Sequence, residues 1–289
     1  MSKIKKVVIT GWTHGNELTW VFLIKKFLKH PELVKKNSYS TQLLHVNPEA
    51  TRKNSRYVDQ DMNRSFTKEN LNDIDSKFYE INRVKEVYKE LNIGKNIEEE
   101  FIIDMHTTTA NMWVTIIITN ANKLNLQVLS YIQSKIKDVK IIHWRGEKES
   151  GTILSCYKYG FVIEAGPIAQ WVYQDSTINE TEEIIKHSLD YIEKFNDKKE
   201  IESNDIEIYK IIRAVDYPRD KEWNISWCIH QDFQDKNFEI LKKWDKIFKT
   251  IDDDEIVYEE EDLYPIFINE TSYYEKWVAF FLTQKEIIN

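Results

Sequence analysis

Short apolar runs alternate with longer amphipathic segments up to about residue 196. Five runs rich in aliphatic residues end at polar positions and predict strands, at 7–10, 42–46, 101–103, 114–118 and 161–163. Four segments carry apolar residues three or four positions apart and predict helices, at 17–30, 74–91, 124–136 and 180–195. Because strands alternate with helices, we predict an α/β fold with a central sheet.

The pattern changes in the last third of the chain. Short apolar stretches separated by turns predict five further strands, at 206–209, 225–230, 246–250, 255–258 and 264–268. A polar stretch at about 196–205 separates the two patterns. We therefore predict two domains, an α/β domain over 1–203 and a smaller β-rich domain over 204–289.

The charge balance argues against a nucleic-acid-binding surface. The 289 residues include 40 Lys and Arg against 48 Asp and Glu, a formal net charge of −8. The segment from Asp252 to Asp262 holds eight acids and no base, so it accounts for the whole excess. This balance disfavours a generally basic surface but leaves a local basic site open, and no nucleic-acid partner is expected. We predict a solvated hairpin or loop for the acidic segment, since it lacks the spacing of a calcium-binding loop.

Cysteine content and hydropathy indicate the compartment. Cys156 and Cys228 are too few for a disulfide framework. No apolar stretch approaches the ~18 residues of a membrane span, and the first residues lack the apolar run of a signal peptide. The sequence predicts a cytoplasmic protein with reduced cysteines and no membrane partner.

Three polar clusters directly follow predicted strands, where ligands bind in open α/β sheets because the loops diverge. His14, Glu17 and His106 would together form a two-histidine, one-glutamate set, which in catalytic zinc sites leaves a fourth position open. Glu164 suits a general base. Asp104 either orients an imidazole or only caps a turn. Taken singly, each of these residues also fits a structural role as a hydrogen-bonded or turn-capping side chain.

A fourth polar cluster lies at 54–66 and contains two arginines and two aspartates among few apolar neighbours. Arginine binds carboxylates bidentately and stabilises developing oxyanions, which suits a substrate-binding loop. A charged surface loop with internal ion pairs is the alternative interpretation.

In combination these motifs resemble the aspartoacylases, within the wider succinylglutamate desuccinylase and zinc-carboxypeptidase-like group. The matching segments follow the family's order and include GWTHGNE at 11–17, 47–66, DMHTTTANM at 104–112, IEAGP at 163–167, 209–220 and 264–280. The resemblance implies an α/β fold in which a zinc-carboxypeptidase-like mixed-sheet domain, 1–203, is capped over its active site by the β-rich C-terminal domain, 204–289.

The resemblance also implies roles for individual residues. The zinc ligands, for one ion per chain, would be His14, Glu17 and His106. The catalytic residues would be Glu164, the general base and acid, and Arg56, which polarises the scissile carbonyl. The substrate-binding residues would be Asn63, Arg64, Asp61 and Tyr273.

The implied activity is zinc-dependent deacylation of a small molecule, an N-acyl-L-amino acid. A carboxypeptidase-type metallopeptidase uses the same chemistry and is one alternative, although the C-terminal domain should block a peptide chain. A catalytically silent ligand-binding homologue is the other. The sequence leaves the oligomeric state open, a homodimer included.

Four positions depart from the family pattern. Leu154 stands where aspartate-specific members carry an arginine for the substrate's side-chain carboxylate, and Ser150 stands where a tyrosine is expected. Trp12 replaces a second glycine beside the metal ligands and would add apolar bulk there if it points into the site. Thr107 replaces the asparagine that commonly follows the third ligand.

The departure at Leu154 leaves two possibilities for substrate choice. Arg145, Lys148 or Lys158 could supply the missing cation from a shifted loop. Otherwise the substrate side chain is neutral or aromatic, and we predict weaker use of N-acetyl-aspartate than in aspartate-specific members.

Overall fold

A nine-stranded mixed sheet forms the centre of the computed structural model, which describes residues 2–144, 151–199 and 204–288. The strands within these ranges are β1 (Lys6–Gly11), β2 (Ser40–His45), β3 (Glu100–Thr107), β4 (Trp113–Ile118), β5 (Lys140–His143), β6 (Tyr159–Gly166), β7 (Ile206–Val215), β8 (Trp227–Ile229), β9 (Lys246–Thr250), β10 (Glu255–Val257), β11 (Tyr264–Ile266) and β12 (Phe280–Ile288). The α-helices are α1 (Leu18–Lys29), α2 (Pro48–Arg52), α3 (Lys68–Asn72), α4 (Tyr79–Leu91), α5 (Lys123–Lys135) and α6 (Asp175–Asn196).

The large sheet runs in the order β11-β12-β7-β5-β4-β6-β3-β1-β2. Strands β2, β1, β3 and β6 are parallel neighbours, whereas β4 is antiparallel to β6. Strand β7 pairs with β5, so three strands from the last third of the chain extend the sheet. Strands β8, β9 and β10 form a separate antiparallel sheet. The predicted α/β class, a mixed sheet with a smaller β-rich C-terminal region, is confirmed.

Helices cover both faces of the parallel part of the sheet. Successive side chains of a strand point to opposite faces, so each strand packs against helices on both sides. Val7 and Ile9 of β1 belong to a buried cluster with α1, α5 and α6. Val8, between them, packs with α4 on the other face. Burial on both sides explains why these strands are apolar runs without polar alternation.

Most predicted elements are present, with shifted ends. The helix expected from 74 begins only at Tyr79, and Ile74 is 87% exposed. Strands β5 and β12 and the short helices α2 and α3 were not predicted. The acidic segment contains the exposed turn between β9 and β10, as expected of a hairpin. Within the described ranges, no helix is both long enough and apolar enough to cross a membrane.

Candidate active site

The three polar clusters meet at one edge of the sheet, because β1, β3 and β6 are adjacent and parallel. His14 and Glu17 lie on the loop that leaves β1, and Glu17 directly precedes α1. His106, near the end of β3, is the register partner of Glu164 on β6. All four side chains therefore reach the same site from neighbouring strand ends.

His14, Glu17 and His106 form a buried group whose ligand atoms all lie within 4.8 Å of one another. The two Nδ1 atoms are 3.3 Å apart, and His106 Nδ1 is 3.4 Å from Glu17 Oε2. His14 Nδ1 is 2.7 Å from Glu17 Oε1. Donor atoms at zinc bond lengths in a tetrahedral arrangement lie ~3.3 Å apart, so the group fits a metal ion.

Two aspartates hold the other nitrogen of each imidazole. Asp104 Oδ2 lies 2.8 Å from His106 Nε2, and Asp61 Oδ1 lies 3.0 Å from His14 Nε2. Asp104 in turn accepts a hydrogen bond from the Thr10 hydroxyl at 2.7 Å. Carboxylates in this position fix the ring orientation of metal-binding histidines, here with both Nδ1 atoms facing Glu17. Asp104 therefore orients His106, and of its two predicted roles the geometry favours this one.

The surroundings of Glu17 and Glu164 shift the pKa values of these two side chains in opposite directions. Burial by itself would raise the pKa of Glu17, but the His14 and His106 rings outweigh it and lower the pKa to about 2. Burial raises the pKa of Glu164 to about 8. Among the described residues, Glu164 Oε2 has no hydrogen-bond partner. Glu17 is thus held as an anion that suits a ligand, whereas Glu164 can gain and lose a proton near neutral pH.

The polar segment at 54–66 lies beside the histidine–glutamate group. Arg56 Nη2 is 3.4 Å from Asp61 Oδ2, and its carbonyl accepts the backbone N–H of Gly15 at 3.1 Å. Asn63 Nδ2 lies 3.5 Å from His106 Nε2. Asp61 contacts His14 and Arg56, so its contacts fit an orienting residue better than the substrate-binding role that we predicted.

A pocket opens next to this group between the strand ends and the C-terminal region. Its described polar lining consists of Asn63, Arg64, His106, Thr119, Thr152, Glu164 and Tyr273. Its apolar lining consists of Ile117, Trp144, Leu154 and Val162. Trp144 is fixed by Phe281, whose ring centre lies 4.9 Å away. The structure thus brings Tyr273 and Leu154 together with the site residues from the other strands.

Glu270 ties the C-terminal region to the loop after His106, a role that the sequence analysis missed. Its Oε2 accepts hydrogen bonds from the Thr109 N–H at 2.7 Å, the Ala110 N–H at 3.2 Å and the Thr108 hydroxyl. Its Oε1 accepts the Ser272 N–H at 3.0 Å and so caps the 3₁₀-helix Thr271–Lys276, which carries Tyr273. The available signal was an acid two residues after the predicted strand at 264–268, close to a strand end as Glu164 is.

We expect Glu270→Ala to lower the free energy of unfolding by about 3 kcal/mol, because several buried donors lose their acceptor. Activity should fall as well, since the segment bearing Tyr273 loses its attachment. Urea unfolding and turnover measurements test both effects. Glu239→Ala is the matched control, because Glu239 is exposed and pairs with Lys236. Equal stability of the two variants would contradict this account of Glu270.

Trp12 does not line the pocket, so the apolar bulk expected near the metal ligands is absent from the described lining. Its ring is buried against His45, with ring centres 3.8 Å apart. Its φ of +68° lies in the region that glycine adopts most easily, which agrees with the glycine expected at this position from the resemblance. Cys156 contacts the Tyr88 hydroxyl at 2.9 Å and does not belong to the described lining of the pocket.

Lys158 cannot supply a cation to the pocket, and that prediction was wrong. It precedes β6, at the opposite end of the strand from Glu164, and its Nζ lies 2.6 Å from Glu98 Oε1. The other candidates, Arg145 and Lys148, lie outside the described residues, as does Ser150.

Known protein families, sequences and structures match this chain over nearly its whole length. The model of the succinylglutamate desuccinylase/aspartoacylase catalytic domain matches residues 3–192, and that of the AstE/AspA barrel-sandwich hybrid domain matches 204–285. A probable aspartoacylase of Trichodesmium erythraeum is 42% identical, with 100% of this chain and 99% of the relative covered. An N-acyl-aromatic-L-amino acid amidohydrolase (carboxylate-forming) of Xenopus laevis is 35% identical, with 98% and 95% covered. The crystal structure of murine aminoacylase 3 superimposes with a TM-score of 0.92 at 31% identity, covering 100% of this chain and 97% of that one.

Proposed function

Because this chain belongs to the succinylglutamate desuccinylase/aspartoacylase family, we propose that it is a zinc-dependent hydrolase that removes the acyl group from an N-acyl-L-amino acid. The family resemblance predicted from the motifs is thereby confirmed. The relatives named as aspartoacylase and as N-acyl-aromatic-L-amino acid amidohydrolase support the activity. The observation that carries the proposal is the convergence of His14, Glu17 and His106 next to Glu164, whose buried Oε2 has no hydrogen-bond partner in the described part of the chain.

The three converging side chains would hold one zinc ion through His14 Nδ1, His106 Nδ1 and the Glu17 carboxylate. When bound, zinc supplies a Lewis acid and lowers the pKa of a water molecule toward ~7. Asp104 and Asp61 hold the histidine rings so that their Nδ1 atoms remain directed at this position. Glu17 contributes a negative charge that its low pKa preserves.

Glu164 acts as general base and then as general acid. Its carboxylate accepts a proton from the water that attacks the acyl carbonyl carbon, and later donates that proton to the leaving amine nitrogen. A pKa raised by burial to about 8 favours the first transfer, because it makes the carboxylate a stronger base for the proton of the water. No residue within the described ranges hydrogen-bonds Glu164 Oε2, which leaves this oxygen available for both steps.

Four further residues bind the substrate around the reacting bond. The Arg56 guanidinium stabilises negative charge on the carbonyl oxygen as the tetrahedral intermediate forms. Asn63 and Arg64 bind the α-carboxylate, which every N-acyl amino acid carries. Tyr273 reaches the pocket from the C-terminal domain, 204–289, that we propose as the cap of the active site.

The apolar lining supports a neutral or aromatic substrate side chain. Leu154, Trp144, Ile117 and Val162 line the pocket, and Arg64 is the one Lys or Arg in its described lining. A side-chain carboxylate buried there without a partner of its own is strongly disfavoured. We therefore propose that N-acetyl-aspartate is a poorer substrate than an N-acetyl amino acid with an apolar side chain.

We expect Leu154→Arg to shift kcat/KM toward N-acetyl-aspartate over N-acetyl-phenylalanine by roughly 10–100-fold, because the guanidinium pairs with the second carboxylate. Leu154→Met keeps the side-chain volume without a charge and should leave the ratio near that of the wild type. Steady-state kinetics on both substrates give the ratio. A wild type that already prefers N-acetyl-aspartate by orders of magnitude would refute the prediction and direct attention to residues 145–150.

A screen of N-acetyl, N-formyl and N-succinyl derivatives of phenylalanine, leucine and aspartate, with an N-blocked dipeptide added, tests the activity. Acyl release from at least one amino acid, with the dipeptide left intact, is the expected result. Faster cleavage of the dipeptide would favour a carboxypeptidase. Zinc-loaded protein that turns over none of these compounds would favour a catalytically silent binding protein.

A further inference from the structure

A buried carboxylate on α4 faces the loop that leads to the proposed substrate-binding residues. Glu80, in the first turn of α4, is 0% exposed. Its Oε1 accepts the Val58 N–H at 2.7 Å and the Asn47 side-chain N–H at 3.2 Å. Its Oε2 accepts the N–H groups of Asp59 at 3.0 Å and Gln60 at 3.3 Å. One carboxylate thus binds three consecutive backbone amides, and each charge-assisted hydrogen bond offsets part of its burial.

Hydrogen bonds run in both directions between the loop at 58–60 and helix α4. Asp59 Oδ2 accepts the backbone N–H of Tyr79, the first residue of α4, at 2.6 Å. A carboxylate at this position satisfies a free N–H at the helix start. In the other direction, Glu80 of α4 accepts the Asp59 N–H. A shift of the loop or of the helix would therefore break both hydrogen bonds.

A short chain of hydrogen bonds connects the anchored amides to the substrate-binding residues. The Gln60 side-chain N–H donates to Ser65 Oγ at 2.8 Å, and the Ser65 hydroxyl donates to the Asp61 carbonyl at 2.9 Å. These contacts bracket the 3₁₀-helix Met62–Arg64, which carries Asn63 and Arg64. The position of that helix therefore depends on residues 58–60.

The same carboxylate also reaches the metal-binding loop through Asn47. The Asn47 backbone N–H donates to the Trp12 carbonyl at 3.0 Å, and its Oδ1 accepts the Ala50 N–H at 3.2 Å. Gly15 packs so closely on this segment that an added Cβ would lie 2.2 Å from the Ala50 carbonyl carbon. The substrate-binding loop and the metal-binding loop thus share one anchor.

We infer that Glu80 is a positioning residue, which sets Asn63 and Arg64 at the right distance from the metal group to hold the substrate's α-carboxylate. This inference rests on the proposed function, because it assigns Glu80 to the substrate clamp of that reaction. A helix acid that only stabilises the first turn of α4 would affect folding but not carboxylate recognition.

Glu80→Gln tests the inference, because the amide nearly preserves shape but turns one acceptor oxygen into an NH₂ group facing backbone donors. Acetate release is measured from N-acetyl-L-phenylalanine and from its carboxamide, which lacks the α-carboxylate. We expect kcat/KM for the acid to fall about ten-fold or more, mainly through KM, with little change for the carboxamide. The preference for the acid over the carboxamide should therefore shrink, while the zinc content stays that of the wild type.

Two further variants serve as controls for the comparison of the acid with the carboxamide. Glu86→Gln on the same helix removes an exposed carboxylate that pairs with Arg83, and it should leave the preference unchanged. Glu80→Asp keeps two acceptor oxygens on a shorter side chain and should recover part of the preference. If Glu80→Gln does not fold, the same acid and carboxamide kinetics are measured on Glu80→Asp instead.

Amide hydrogen exchange at residues 58–60 provides a readout that does not depend on turnover. Exchange there should accelerate in Glu80→Gln, with residues 101–106 of β3 unaffected. An equal loss of kcat/KM for the acid and the carboxamide, or unchanged exchange at 58–60, would overturn the inference. A zinc-loaded wild type without any deacylase activity would instead refute the proposed function, and the exchange result would still decide whether Glu80 anchors the loop.

Discussion

Glu164→Gln is expected to lower kcat by about 10²–10⁴-fold, because the amide preserves the shape of the side chain but cannot accept the proton of the attacking water. Zinc should be retained, since the group that fits the metal consists of His14, Glu17 and His106. Turnover of the best N-acyl amino acid and zinc content of the same sample are the two measurements. KM should change little if Glu164 acts on the proton rather than on substrate binding.

The matched control for this variant is Glu180→Gln on α6. The pKa of Glu180 is also raised by burial, but its side chain lies away from the pocket lining. Near-normal turnover in Glu164→Gln would mean that another group accepts the proton. Loss of zinc together with activity would mean that Glu164 supports the metal group instead.

His106→Ala is expected to remove zinc and activity together. The variant would keep only two of the three candidate ligands, His14 and Glu17. Zinc sites normally use three or four protein ligands, so binding should be lost. We expect about one zinc per chain in the wild type and less than a tenth of that in the variant after dialysis, with activity reduced in proportion. Atomic absorption and turnover on the same preparation give both values.

His45→Ala distinguishes the loss of a specific ligand from the loss of any half-buried histidine near the site. His45 lies at the end of β2, where its Nε2 is 3.0 Å from the Thr51 hydroxyl and its ring stacks on Trp12. Its loss should reduce stability without removing zinc. Full zinc occupancy in His106→Ala would exclude His106 from the ligand set, and circular dichroism would establish that the variant is folded.

Most helices and strands of the first 196 residues followed from local sequence signals, with β5, α2 and α3 as the exceptions, and so did the metal-binding candidates. His14, Glu17, His106 and Glu164 could be found because each belongs to a polar cluster that follows an apolar run, and parallel strands end at one edge of a sheet. Asp104, two residues before His106, could be paired with it for the same reason. The assignment of roles required the family resemblance, since each residue alone also fits a structural role.

Tertiary structure alone decided how the distant segments meet. Strands β7, β11 and β12 extend the central sheet through the pairing of β7 with the four-residue β5, which is too short to give a periodic signal. The anchoring of the loops by Glu80 and Glu270 joins residues about 20 and 160 positions apart. The direction of Trp12 and the contacts of Asp61 likewise depend on neighbours from other strands. Hydrophobic periodicity reports which face of an element is buried, but it carries no information about which partner covers that face, and packing and hydrogen-bond geometry in the folded chain determine that choice.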